Sequence, residues 1–257
     1  MKIRNLILPA VLLLFSLYSC EVEEPFSKRS EIEEGLPVKV LVPFRTQPGV
    51  VITRADQGAE LENRVNNAYL IVFDEVGNKI GSKFCTEGNG MEPKTGSTGT
   101  LEINTISQNR AYIVGIANLN DGTVGTAYDI TPDMLEQITT YDQLCSLQVK
   151  LSERGVQRGS TFVMTGMVID EEGNNIIQIP GSESGTSTLS GCELRFERTD
   201  AKIEFIVKTE PANNSWKNFS FQPNSWRVHK VPAQVLVLKD ENGGDADGKG
   251  TEYFSSR

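Results

Sequence analysis

The apolar residues of this 257-residue chain come in runs too short for most helices, and each run is cut by Gly, Asn, Asp or Pro. That punctuation is what most limits the possible folds, because it leaves room for many strands and few helices. Val38, Val40, Val42 and Phe44 alternate with Lys39, Leu41, Pro43 and Arg45, the period-two pattern of a half-buried strand. Pro43 places that strand at an edge or near its end. Ala68–Asp74 is the most hydrophobic run after residue 20 and predicts a central strand, with a returning strand from Lys79 to Cys85. Glu87–Gly99 reads as a loop. Strands are further expected around Leu101–Thr105, Ala111–Ala117, Leu147–Leu151, Thr161–Gly166, Ile176–Ile179, Glu193–Arg198, Ala201–Lys208, Trp226–Val231 and Ala233–Leu238.

Helical signals are confined to one region. Thr131-Pro132-Asp133 offers an N-cap, a proline at N1 and an acid in the first turn, with Met134, Leu135 and Ile138 on one face. A second short helix is expected from Tyr141 to Leu147. The sum is a mostly β chain of sandwich type with one or two short helices in its first half. The Gly-, Ser- and Thr-rich stretch Gly181–Gly191 is the expected boundary between an N-terminal domain at 37–185 and a C-terminal one at 186–257. Tyr253–Arg257 carries no closing strand pattern, so the second domain is expected to be incomplete or to take a strand from elsewhere.

The first residues carry a different message. Lys2 and Arg4 precede an apolar run from Leu6 to Leu17, too short to span a bilayer and of the length of a secretory h-region. Leu17-Tyr18-Ser19-Cys20 resembles the lipobox of bacterial lipoproteins, which implies a signal peptide at 1–19, cleavage before Cys20 and lipid on its sulfur. The alternative is an ordinary signal with a cysteine near its end. Residues 20–36, rich in Glu, then read as an acidic tether. Their acids resemble the surface-export signal of Bacteroidetes lipoproteins, and a plain linker fits them equally.

Loss of Lys2 and Arg4 would take the formal charge from −9 to −11, a poor match for nucleic acid. Cys85, Cys145 and Cys192 are odd in number and widely spaced, so buried free thiols are expected and no disulfide framework. His229 is the sole histidine, which excludes His-rich metal clusters and leaves a triad little to build on. Gly181-Ser182-Glu183-Ser184-Gly185 has Glu where a nucleophile elbow needs Ser, and phosphate-loop and dinucleotide fingerprints are absent. No enzymatic activity, cofactor or metal is therefore expected. Asp240, Asn242, Asp245, Asp247 and Glu252 lack EF-hand spacing and read as a solvated loop. Trp216 and Trp226 could stack sugars if exposed, or pack in a core.

The order of these pieces resembles a family. Lipobox, acidic tether, VKVLVPF, Thr53-Arg54, AYLIVFDEVGNKI, RAYIVGIANLN, FVMTGMVID and LRFERTDAKIEFIV follow one another as in the fimbrillins of Bacteroidetes, over roughly residues 10 to 240. The resemblance implies two tandem transthyretin-like β-sandwich domains, delivery to the outer membrane through lipid on Cys20, and a place in a surface fimbrium. It implies assembly with other fimbrial subunits by strand addition, after an arginine-specific protease removes an N-terminal strand. Carried onto this chain, Val38, Val40, Val42 and Phe44 mark the removable strand and Arg54-Ala55 the processing point, with Arg45 and Arg64 less well placed. A surface loop arginine is the competing reading of Arg54. The competing function is a monomeric surface lipoprotein that binds glycan through Trp216 or Trp226. The ending at Arg257 matches no family donor strand, which sets polymerisation of this chain in question.

Overall fold

The computed structural model describes residues 31–47, 63–93, 96–122, 128–150, 161–199, 231–232, 234–238 and 253–254. In chain order these form β1 (Pro37–Thr46), β2 (Asn67–Asp74), β3 (Lys79–Glu87), β4 (Gly90–Pro93), β5 (Thr98–Ile106) and β6 (Gln108–Ala117). Two short helices follow, α1 (Pro132–Glu136) and α2 (Tyr141–Cys145), then β7 (Gln148–Lys150), β8 (Met164–Asp170) and β9 (Ile177–Ile179). The last elements are β10 (Thr186–Thr188), β11 (Cys192–Arg198), β12 (Val231–Pro232), β13 (Gln234–Leu236) and β14 (Tyr253–Phe254).

The main sheet runs β1-β11-β8-β6-β2-β3-β4-β5, and β5 pairs back onto β1. It therefore closes on itself, where a sandwich of two separate sheets was expected. β9 adds to β6, and β10 adds to β1 beside β11. Closure depends on β4, which lies in the stretch Glu87–Gly99 expected to be loop. The turn residues there are real, but Met91 faces the interior at 2% exposure and its backbone pairs with Leu101.

Two apolar layers result. Inside the ring pack Val38, Val40, Val42 and Phe44 with Leu70, Leu101, Ile103, Ile113, Leu194 and Phe196. Outside it, Tyr69, Ile71 and Phe73 of β2 and Val114 and Ile116 of β6 pack beneath Leu135 of α1 and Leu144 of α2. β2 is thus buried on both faces, which is why its sequence is continuously apolar, whereas β1 alternates. Both helices start as their sequences predict: Thr131 Oγ1 accepts from Met134 N–H at 3.4 Å and Thr140 Oγ1 from Gln143 N–H at 3.3 Å.

The boundary expected at 185 falls inside the sheet. β10 and β11 lie beyond it and hydrogen-bond to β1 and β8. Residues further on join the outer layer: β13 pairs with β7, Val237 N–H donates to Leu147 O at 3.0 Å, and Val237 and Leu238 are buried with α1 and α2. Gly and Ser residues of 181–191 serve as turns between strands of one sheet. The expected tether also ends earlier than residue 36, because one compact unit begins at Ile32. Cys85 is buried and free, and burial pushes its thiol up to about 11, so it stays protonated and inert. Cys145 and Cys192 are only half-buried, where buried thiols were expected.

A candidate strand-exchange seam

β1 is the first strand among the described residues, and it closes the ring. Its antiparallel register with β5 runs unbroken from Pro37↔Ile106 to Arg45↔Thr98. Its other edge is parallel to β10 over Lys39–Leu41 and to β11 over Phe44–Thr46. Bonds at its margins complete the ladder: Lys39 N–H to Gly185 O at 2.8 Å, Thr46 N–H to Ser97 O at 2.9 Å and Gln47 N–H to Phe196 O at 2.9 Å.

The alternation read in the sequence puts Val38, Val40, Val42 and Phe44 inward at 3%, 0%, 0% and 2% exposure. Across the seam they face Thr105, Ile103, Leu101 and Gly99. Size is complementary at the last pair. A Cβ on Gly99 would lie 2.7 Å from the Phe44 ring and 2.6 Å from Glu92 O, so glycine makes the room Phe44 needs. The Phe44 ring meets Phe196 edge to face at a centroid distance of 5.8 Å.

The outward face is pinned by charge. Lys39 Nζ lies 3.4 Å from Glu102 Oε2 and Arg45 Nε 2.7 Å from Glu193 Oε2. Glu102 also receives Lys83 at 2.9 Å. The Lys83 hydrogen bond, against the opposing effect of burial and with help from Lys39, holds the Glu102 carboxyl below its ordinary value.

The chain after the seam is anchored separately. Asn118 adopts φ 61, and its amide accepts from Asn66 N–H at 2.9 Å and donates to Arg64 O at 2.9 Å and Phe162 O at 2.7 Å. Asn67 and Leu119 exchange bonds of 2.8 and 3.1 Å beside it. In the sequence Asn118 merely follows the strand expected at Ala111–Ala117; that its buried amide ties three segments together could not be read locally. The chain thus passes from β1 to the body through residues 47–63, and the body is held independently at Arg64, Asn66 and Asn67.

The chain is similar to known proteins. A family model described as major fimbrial subunit protein (FimA) matches residues 48–198, more than half of the chain. The chain belongs to the FimA major fimbrial subunit family. The matched stretch holds every strand of the ring except β1. No curated protein matches. Among solved structures, a fimbrial assembly protein from Parabacteroides distasonis shares the fold at TM-score 0.50 and 16% identity, over 85% of this chain and 71% of its own. A fimbrilin from Porphyromonas gingivalis is 18% identical, over 77% of this chain and 51% of its own, at TM-score 0.45. The tip fimbrial protein Mfa3 from the same organism, with a C-terminal truncation, is 16% identical over 63% of this chain at TM-score 0.41. This chain spans 48% of the length of that tip protein.

Of the residues singled out in this FimA-family chain, the structure brings together Val38, Val40, Val42 and Phe44 in one seam. Arg45 is exposed at the end of β1 and Arg64 is exposed beside the Asn118 knot. Cys20, Arg54, Ala55, Trp216, Trp226, His229 and the acidic residues from Asp240 to Glu252 lie outside the described residues. Among the described residues no group of three or more His, Cys, Asp or Glu could hold a metal ion, and no helix is long and apolar enough to cross a membrane.

Proposed function

We propose that this chain is a structural and adhesive subunit of a surface fimbrium, reaching the outer membrane as a lipoprotein anchored at Cys20, and that β1 is a plug exchanged for a strand of another subunit. The observation that carries this reading is the position of β1. It is the first strand among the described residues, closes the ring on both edges, packs only one face inward, and is followed by one covalent tie to the rest. A cut after Arg54 would sever that tie between β1 and the Asn118 knot. The body would keep β2 to β11, and an open seam would remain between β5 and β10/β11.

Energetics argue for exchange over simple release. Burying three valines and a phenylalanine is worth on the order of 1.5–3 kcal/mol each. Vacating the seam would also leave two strand edges unpaired. A cut β1 therefore stays until another strand takes its hydrogen bonds and inward positions. Strand addition of this kind links subunits head to tail without limit.

Treatment of the purified chain with an arginine-specific protease, followed by a gel run without boiling, tests the reading. A product beginning at Ala55 that forms ladders is expected, and Arg54→Ala should abolish them. A protein that is cut there and remains monomeric, but is retarded on a glycan affinity gel, would replace this reading with the glycan-binding one.

A further inference from the structure

The seam does not begin at β1. Residues 32–36, just before it, are held by two side chains at the β5–β6 junction. Ser107 is fully buried, and its N–H donates to Leu36 O at 2.8 Å while its carbonyl accepts from Gly35 N–H at 2.9 Å. Its hydroxyl accepts from Leu36 N–H at 3.0 Å and donates to Glu33 O at 2.7 Å. Asn109 receives Ile32 N–H at 2.9 Å on Oδ1 and returns Nδ2–H to Ile32 O at 3.2 Å, so its amide acts as one more rung of backbone. Gln178 Nε2–H holds the same Oδ1 at 3.2 Å. Asn109 N–H donates to the Glu34 carboxylate at 2.8 Å.

We infer that Ser107 and Asn109 form a main-chain clamp that receives the lead segment of an incoming strand from another subunit, and that this clamp selects an acidic residue followed by glycine ahead of the strand. The inference rests on the strand-exchange reading above and deepens it. Nearly all the clamp's bonds go to backbone atoms, so it fits any extended lead whose backbone can follow Gly35. That residue sits at φ 83, where β-branched side chains are strained even though space around it is open. Glu34 supplies the one side-chain contact. When β1 leaves with its lead, Ser107 loses its partners Glu33, Gly35 and Leu36, and an incoming strand without a lead forgoes those hydrogen bonds.

The test uses the full chain carrying a specific protease site engineered into residues 55–62, cut and then exposed to fluorescent peptides under mild denaturant. One peptide copies residues 31–47 and the other residues 37–47. Hydrogen bonds gained and ordering entropy spent partly cancel, so the longer peptide should bind about tenfold tighter. Gly35→Val in the long peptide should remove most of that advantage with the protein itself unaltered. In a Ser107→Ala, Asn109→Ala protein the two lengths should bind alike. Equal binding of both lengths to the wild-type protein overturns the clamp and leaves strand exchange standing. Failure of both peptides to enter the cut protein overturns both.

Discussion

β1 and β2 have the same hydrogen-bonding status and opposite packing. Each is paired along both edges, β1 with β5 and β10/β11, β2 with β3 and β6. β1 contributes one face, Val38, Val40, Val42 and Phe44, to the inner layer. β2 contributes Ala68, Leu70 and Val72 to that layer and Tyr69, Ile71 and Phe73 to the outer one. Removing β2 would uncouple both layers. Removing β1 would open one, at a place a second strand can refill. Backbone pairing alone therefore does not distinguish the two strands; the number of buried faces does, and the proposal that β1 is the exchanged strand rests on that difference.

The comparison breaks most sharply with core truncations. Phe44→Ala should cost the intact chain about 3–5 kcal/mol and Leu70→Ala about 2–5 kcal/mol in urea unfolding. After β1 is cut and replaced by a wild-type strand peptide, the Phe44→Ala loss should vanish and the Leu70→Ala loss persist. Equal persistence of both would mean β1 never leaves. Gly99→Ala is the next largest effect, about 1–3 kcal/mol, because its Cβ meets the Phe44 ring. Combining it with Phe44→Leu should recover part of the loss, and a double-mutant cycle measures the coupling. Additivity would show that the Gly99–Phe44 fit does not set the seam.

The smallest effect is electrostatic. The Glu102 carboxyl is held low in the folded chain by Lys83 and Lys39. Its contribution is thus present above the ordinary carboxylate value near 4.3 and lost as pH falls through the folded one. For partly exposed pairs that is under about 1 kcal/mol. Glu102→Gln should flatten this acid limb of stability, and it should speed loss of a cut β1 at neutral pH, read by fluorescence of a labelled strand. The same substitution with no effect on strand release would assign Glu102 to β3 and β5 alone.

Strand positions were legible because burial leaves its period in the sequence: alternation for one-sided β1, an unbroken run for two-sided β2. The first helix cap was legible because Thr131 acts on backbone three residues away; Thr140, which caps the second helix in the same way, was not singled out. β4 was missed because a four-residue strand rich in turn residues is defined by its partners β3 and β5. The boundary at 185 was misplaced because glycines in a turn look the same within a sheet as between domains. Ser107, Asn109 and Asn118 gave no warning, since an isolated polar residue has the same local pattern whether it faces water or ties distant backbones.

By itself the sequence determined the mostly β character, the inward set of β1, the helix starts and the order of motifs that marks the fimbrial subunit family. The first three follow from spacing and from local backbone chemistry, and the last from the resemblance of the motifs. Only the tertiary structure decided that the sheet closes through β1, that β10 and β11 belong to the same sheet, and that residues 32–36 are clamped ahead of the strand. Those are pairings between segments far apart in the chain, and the free energy of such contacts has no local signature.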